Sequence, residues 1–359
     1  MRLLVFTQAL DTNDPVLSAY NRLVSEMAKN FDSIVVVCLK KGANKLPMNV
    51  KVLSLGKELD GNWFIAHLRY VGRFFKYIFT ERYDAVFVHM NQEYVLLGGL
   101  FWKITGKPIY MWRNHHAGSF LTDIAADFCK KVFCTSKFSY TAKYKQTVLM
   151  PVGVDTDFFK PVSGLGGSKV TSSTVIRTPH SILFLARMAP AKKPDILVSA
   201  LAILKRRGVA FSADFYGDPL PRDRAYYDSV KEMVAKQGLS RDVVFHGGIR
   251  NDQTPAVYNT HEIFVNLSSS GMYDKTIFEA MACETVVLAT NKNLEGLIDA
   301  RFIAREDNVE DIAVHLGSLL KLGLTEREMF GKELRSVADG KHSLRELGEK
   351  LAKEISQKP

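Results

Sequence analysis

The sequence has no run of apolar residues long enough to cross a bilayer, although 47% of its 359 residues are hydrophobic. Its opening, MRLLVFTQAL, lacks the pattern of a secretory leader, so a cytoplasmic protein is the expectation. Cysteine is scarce. Cys38, Cys129, Cys134 and Cys283 stand in apolar contexts at spacings that match no common zinc motif, which predicts buried thiols in a reducing compartment and no metal site. The segment Thr7–Leu17 contains no G-x-G-x-x-G, and that counts against a dinucleotide-dependent dehydrogenase. The basic residues are scattered and carry no recognition motif, so nucleic acid is not an expected partner.

What is present is length for two cores, an uneven charge and a regular alternation. Residues 1–160 hold 21 Lys and Arg against 13 Asp and Glu, a balance of +8; residues 161–359 hold 27 against 25, a balance of +2. The first half therefore favours an anionic neighbour. Short strands rich in Val, Ile, Leu and Phe alternate with helical segments. In the first half they fall near Arg2–Thr7, Ser33–Leu39, Val50–Leu55, Asp84–His89, Pro108–Trp112, Lys131–Thr135 and Thr147–Met150. Near-continuous apolar strands suit a parallel sheet covered on both faces. A Gly- and Ser-rich stretch interrupts the series, which then restarts with strands near Ser181–Ala186, Ala210–Tyr216, Asp242–His246, Glu262–Leu267, Thr285–Thr290 and Arg301–Ala304. The α/β pattern predicts two doubly wound, Rossmann-like domains facing across a cleft. Expected boundaries are 1–160, a linker over 161–178, a second domain over 179–340, and a C-terminal helix over 341–359 packing back toward the first domain.

Segment Trp63–Phe79 projects as a helix with three stripes. Phe64, Leu68, Val71, Phe75 and Ile78 form an apolar one, Arg69, Arg73 and Lys76 a basic one, and Tyr70, Phe74 and Tyr77 an aromatic one. An aromatic stripe beside a basic one suits an anionic membrane surface and a lipid-linked acceptor; a core helix with a solvated cationic flank fits equally well.

The chemistry concentrates in the second half. After the strand SILFLA come Arg187 and Lys192, two cations at a strand's carboxyl end, where ligands of such folds bind. Arg offers a planar fork and Lys a point charge, a suitable pair for diphosphate oxygens; a solvated basic turn is the plainer alternative. Gly217 and Gly247 follow the next two strands, as ordinary turns or as points of close ligand approach. SSSGMYDKTIFEAMACETVVLAT, Ser268–Thr290, reads as loop, helix and strand. A helix start there presents free N–H groups to an anion, and Glu279 is a carboxylate in an otherwise apolar segment, able to accept from ribose hydroxyls. In the first half, Asp11 and Asp14 follow the first strand, with Asp14 equally suited to cap a helix. His89 and Glu93 follow the fourth strand. His115, with His116 in reserve, follows the strand PIYMW.

In order and wording these features resemble family 4 glycosyltransferases, retaining enzymes of the GT-B architecture. The resemblance is carried by Arg187 with Lys192, Gly217, VVFHG, Glu279-Ala280-Met281-Ala282, and the segment PVGVDTDFFKP at 151–161. It implies that Arg187 and Lys192 hold a donor diphosphate, that Glu279 holds the ribose, that the N–H groups of Thr276 and Ile277 cap a phosphate, and that His115 meets the donor sugar. One position departs from the pattern: the family's first Glu, eight residues before Glu279, is Gly271. Asp274 and Lys275, in the same loop, either take over sugar recognition or serve as an N-cap and a solvated lysine. The implied activity moves a sugar from a UDP- or GDP-sugar to a glycan or lipid-linked hydroxyl, with no further cofactor and no metal, at the inner face of a membrane. A non-catalytic nucleotide-sugar-binding subunit and a sugar-nucleotide epimerase of the same fold are the alternatives.

Overall fold

The computed structural model describes residues 1–14, 17, 19–59, 62–162, 177–271 and 273–357. Of the segments named above, residues 15 and 16 of Thr7–Leu17, most of the expected linker (163–176), residue 272 of Ser268–Thr290 and residues 358–359 of the C-terminal helix lie outside the described residues. The chain divides into two compact units, Met1–Gly153 with Leu344–Pro359, and Val154–Ser343. It thus passes between units at Gly153 and Ser343, not at 160 and 340. Residues 154–162 belong with the second unit because that unit binds their backbone: Arg335 donates to the Thr156 and Phe159 carbonyls, and Asn259 accepts from Val162 N.

In the first unit seven strands form a parallel sheet in the order β3-β2-β1-β4-β5-β6-β7. They are β1 (Arg2–Leu10), β2 (Ser33–Lys41), β3 (Val50–Ser54), β4 (Ala85–His89), β5 (Ile109–Trp112), β6 (Lys131–Cys134) and β7 (Thr147–Leu149). Alternate residues feed two cores. Leu3, Val5, Ile34 and Val36 point into one, with α1 (Tyr20–Ala28); Leu4, Phe6, Val35 and Val37 point into the other, with α2 (Trp63–Thr80), α3 (Glu93–Ile104) and α4 (Phe120–Phe128). Burial on both faces is why these strands read as continuous apolar runs.

The second unit holds a five-stranded parallel sheet in the order β10-β9-β8-β11-β12. Its strands are β8 (Ser181–Leu185), β9 (Ser212–Tyr216), β10 (Val243–His246), β11 (Ile263–Asn266) and β12 (Val286–Ala289). The helices are α5 (Pro194–Arg206), α6 (Arg224–Lys236), α7 (Thr254–Thr260), α8 (Lys275–Ala282), α9 (Val309–Leu319) and α10 (Leu324–His342). The last helix, α11 (Leu344–Ser356), lies in the first unit: Leu347, Leu351 and Ile355 share the core of Tyr20, Leu23 and Val24. Gly153 (φ +77°) is pressed against that helix, where a Cβ would sit 2.3 Å from Leu347.

Two expectations are corrected. Arg301–Ala304 is not a strand. Asp299 accepts from Arg301 N, the backbone turns through a short 3-10 helix over Ala300–Phe302, and one bridge from Ile303 to Ala289 is all the pairing it makes. The stripes of α2 also face otherwise than the membrane reading requires. Phe74 is buried and Tyr70 and Tyr77 pack against the same core, so the aromatic stripe faces inward. Arg69 and Arg73 donate to the carbonyls of Gly56, Leu59 and Ser54, which ties the basic stripe to the loop before the helix. Phe64, Leu68 and Val71, from the apolar stripe, stand in solvent.

Candidate functional site

In the second sheet the winding reverses between β8 and β11. The chain proceeds outward to β9 and β10 on one side and to β12 on the other. Loops leaving the carboxyl ends of the two central strands diverge there and leave a crevice, the place where open α/β sheets bind ligands. A dense polar cluster occupies it. Lys192, from the loop after β8, places Nζ 2.5 Å from Asp274 Oδ2 and 3.1 Å from Ser268 Oγ. Ser268 Oγ donates to the same carboxylate oxygen at 2.6 Å, and Asn266 Nδ2 donates to it at 3.2 Å. Asn266 also reaches Thr276 Oγ1 at 3.2 Å.

Asp274 occupies the N-cap position of α8, yet its side chain makes no cap hydrogen bond. The carboxylate turns to Lys192 instead. Burial opposes its charge, but the Lys192 ammonium and the hydrogen bonds from Lys192, Ser268 and Asn266 outweigh burial and hold the carboxyl below its ordinary value. The helix start is therefore open at Thr276, whereas Ile277 N meets the Asp274 carbonyl at 3.3 Å.

Glu279 lies one turn further in and is buried. Tyr258, fully buried on α7, donates its hydroxyl to Glu279 Oε2 at 3.0 Å. Burial and then the nearby carboxylate push that hydroxyl well above its ordinary pKa, so it remains a donor. Beneath the helix Phe278 packs on His342 with ring centroids 4.2 Å apart.

Arg187 is exposed at the start of the β8 loop, while the buried Met188 anchors that loop. Gly217 ends β9 at φ +136°, and a Cβ there would lie 1.9 Å from the Ala186 carbonyl. The close approach of two backbones explains this glycine without a ligand. Gly247 has ordinary space around it, and its carbonyl accepts from Gly217 N at 3.3 Å. Lys275 opens α8.

The first unit has its own switch point, between β1 and β4. Thr7 Oγ1 and His89 Nδ1 meet there at 3.2 Å, and His89 is buried and stacked on Tyr20 at 4.1 Å. Asp14 accepts from Leu17 N at 2.7 Å, ahead of α1, whose N-cap position is Ala19, and Asp11 accepts from Asn13 N at 2.9 Å. Glu93 is exposed in the first turn of α3. His115 and His116 are exposed after β5 and stacked at 4.4 Å; Ala117 N donates to His115 Nδ1 at 3.0 Å.

The structure thus gathers Lys192, Asp274 and Thr276, with Glu279 one turn along the same helix. It adds Asn266, Ser268 and Tyr258, which sequence reasoning passed over. Asn266 and Ser268 stood next to a strand's carboxyl end, the one signal available; Tyr258 looked like any core aromatic.

The family described as "Glycosyl transferases group 1" matches residues 179–321. Among curated proteins, a GDP-mannose-dependent alpha-(1-6)-phosphatidylinositol monomannoside mannosyltransferase of Mycobacterium tuberculosis (strain ATCC 25618 / H37Rv) is 25% identical over 204 residues, 52% of this chain and 51% of that protein. A D-inositol 3-phosphate glycosyltransferase of Kineococcus radiotolerans is 28% identical over 154 residues, 42% of this chain and 35% of that protein. The chain spans about half the length of the first of these relatives and about a third of the second. Among solved structures, HepE of Anabaena in complex with UDP superposes with TM-score 0.75 at 17% identity, over 99% of this chain and 100% of that one. Sucrose-phosphate synthase of Thermosynechococcus elongatus superposes with TM-score 0.76 at 16% identity, over 98% of both chains. The fold, two Rossmann-like parallel-sheet domains of the GT-B type, is that of these two solved proteins.

Proposed function

We propose that the chain is a glycosyltransferase of family 4 that moves a hexose from a nucleotide-diphosphate sugar to an acceptor hydroxyl with retention of anomeric configuration. The observation that carries it is the Lys192–Asp274–Ser268–Asn266 cluster at the switch point, with the start of α8 beside it and Glu279 one turn inside. The relatives support it: one uses GDP-mannose, and the Anabaena structure binds UDP. Both nucleotides are therefore candidate donors here.

In this reaction Lys192 and Arg187 take the donor diphosphate, the N–H group of Thr276 faces a phosphate oxygen, and Glu279, oriented by Tyr258, holds the ribose. Asp274 and Lys275 contact hydroxyls of the transferred sugar, a task Gly271 cannot perform. Gly217 and Gly247 line the approach. The bond from the anomeric carbon to the diphosphate breaks, the bond to the acceptor oxygen forms on the same face, and the acceptor proton leaves with the departing diphosphate. Catalysis then rests on positioning and on charge stabilisation by the two cations, with no metal or further cofactor. His115 meets the sugar, and Asp11, Asp14, His89, Glu93 and His116 belong to the acceptor side. The acceptor is a glycan or a lipid-linked hydroxyl, and the protein works peripherally at the inner face of a membrane.

A thermal-shift screen of UDP-, GDP- and ADP-sugars tests the donor assignment, because a ligand that binds only the folded state raises its melting temperature by mass action. One donor class should stabilise the protein, and Arg187→Ala should abolish the shift. Absence of a shift with every donor, together with no release of nucleoside diphosphate, refutes the proposal.

A further inference from the structure

Sugar transfer leaves the motif PVGVDTDFFKP, at 151–161, without a task. The chain enters the second unit within it, at Val154. Asp155 starts a tight turn there: its carbonyl accepts from Phe159 N at 2.8 Å and its carboxylate from Phe158 N at 3.1 Å. The turn presents Phe159, which is 3% exposed.

Two contacts join Phe159 to the candidate donor site. Its ring packs edge-on to Tyr258, with centroids 6.1 Å apart and planes at 69°. Tyr258 is the residue that donates to Glu279. The main chain of Phe159 meets Arg335 of α10. That guanidinium donates to the carbonyls of Phe159 and Thr156, each at 3.2 Å, and to the carbonyl of Ala282, the last residue of α8. Asn259, next to Tyr258 on α7, adds a further tie: it accepts from Val162 N and donates to the Lys160 carbonyl, both at 3.0 Å. Glu279 and the C-terminal end of α8 are thus referred to the same short segment, one through Tyr258 and the other through Arg335. A planar fork that spans carbonyls on two elements fixes their separation, which a single flexible ammonium does not. Contiguous packed and hydrogen-bonded contacts of this kind carry energetic coupling between sites.

We propose that Phe159 and Arg335 are positioning residues of the donor site, coupling nucleotide binding at Glu279 and α8 to the order of segment 154–161. The coupling rests on the donor site proposed above and gives the motif its role. Phe159 acts through Tyr258, and Arg335 acts through α8. Nucleotide binding restrains Glu279 and the start of α8, and the two ties pass that restraint to the segment. Coupling is reciprocal, so loosening the segment lowers nucleotide affinity by the factor by which nucleotide orders it.

Amide hydrogen exchange of the full chain, with and without saturating UDP or GDP, tests this. In the parent, whichever nucleotide binds should slow exchange in α8 and also, by about fivefold or more, in 154–161. Arg335→Lys and, separately, Phe159→Leu should keep the slowing in α8, abolish it in 154–161, and lower nucleotide affinity in calorimetry by a like factor. Arg335 is only partly buried, so its variant should fold even where Phe159→Leu does not. A merely structural role would speed exchange in the segment equally with and without nucleotide and leave the nucleotide-dependent difference in place; that result in Arg335→Lys would overturn the proposal. Slowing in α8 of the parent with none in 154–161 would overturn the coupling alone, whereas no slowing anywhere with either nucleotide would overturn the transferase proposal with it.

Discussion

Removing Lys192 should cost stability as well as activity, and Asp274→Asn should restore much of the stability. The two side chains are only 14% and 18% exposed and lie 2.5 Å apart. Loss of one partner strands a charge in a poorly solvated site, which typically costs about 3–5 kcal/mol, whereas neutral replacement of both is often near zero. Lys192→Met alone should therefore destabilise the second unit by about 3 kcal/mol. Asp274→Asn alone should destabilise it somewhat less, because Asn keeps a hydrogen-bonding oxygen for Ser268. The double variant should return to within about 1–2 kcal/mol of the parent, a coupling energy of roughly 2–4 kcal/mol. The probe must report on the right unit. The three tryptophans, Trp63, Trp102 and Trp112, all lie in the first one, so fluorescence would miss the effect. Amide hydrogen exchange in β11 and α8 would register it. Calorimetry with UDP and GDP supplies the functional half. Lys192→Met should lose affinity, and Asp274→Asn should keep or tighten it while transfer falls, because a negative charge beside the diphosphate has gone and a sugar contact has gone with it. Single-variant penalties that add to within about 0.5 kcal/mol would refute the coupling.

Two further outcomes follow from the surroundings of α8. Tyr258→Phe keeps the ring packed on Phe264 and removes the hydrogen bond to Glu279. A bond to a charged acceptor is worth about 1.5–3 kcal/mol, so calorimetry should show nucleotide affinity falling about tenfold; an unchanged affinity would remove Tyr258 from the site. His342, packed against Phe278 and Tyr273, is pushed down from 6.5 to about 4 by burial and secondarily by Lys341. The unfolded chain takes up this proton below pH 6.5 and the folded one only near pH 4, so its contribution is complete above 6.5 and lost on acidification through that window, on the order of 2–3 kcal/mol. The urea midpoint should fall over that range and flatten in His342→Phe; parallel curves for the two proteins would contradict this.

Most of the strands were legible because burial on both faces leaves an uninterrupted apolar signature, as in SIVVVC and AVFV. Arg301–Ala304 misled because Phe302 and Ile303 carry the same signature while local capping by Asp299 turns the backbone. On α2 periodicity identified the stripes correctly and could not orient them. An apolar stripe and an aromatic stripe score alike, and only the position of β4 and α3 decides which is buried. In the cluster at the switch point and the helix beside it, Lys192 and Glu279 stood out by residue type at strand and helix ends. The direction of the Asp274 side chain was not, since an N-cap position in sequence does not reveal a lysine 82 residues away.

By itself the sequence determined two α/β domains, the strands that build them and a cationic, helix-capped locus in the second, because secondary structure follows from residue periodicity and local chemistry. The tertiary structure alone decided that β8 and β11 are neighbours, so that Lys192 meets Asp274, Ser268 and Asn266, and that Phe64, Leu68 and Val71 of the apolar stripe of α2 face out while Ile78 is buried. Both depend on the order of strands in a sheet and the packing of helices upon it, which are set by contacts between residues distant in the chain.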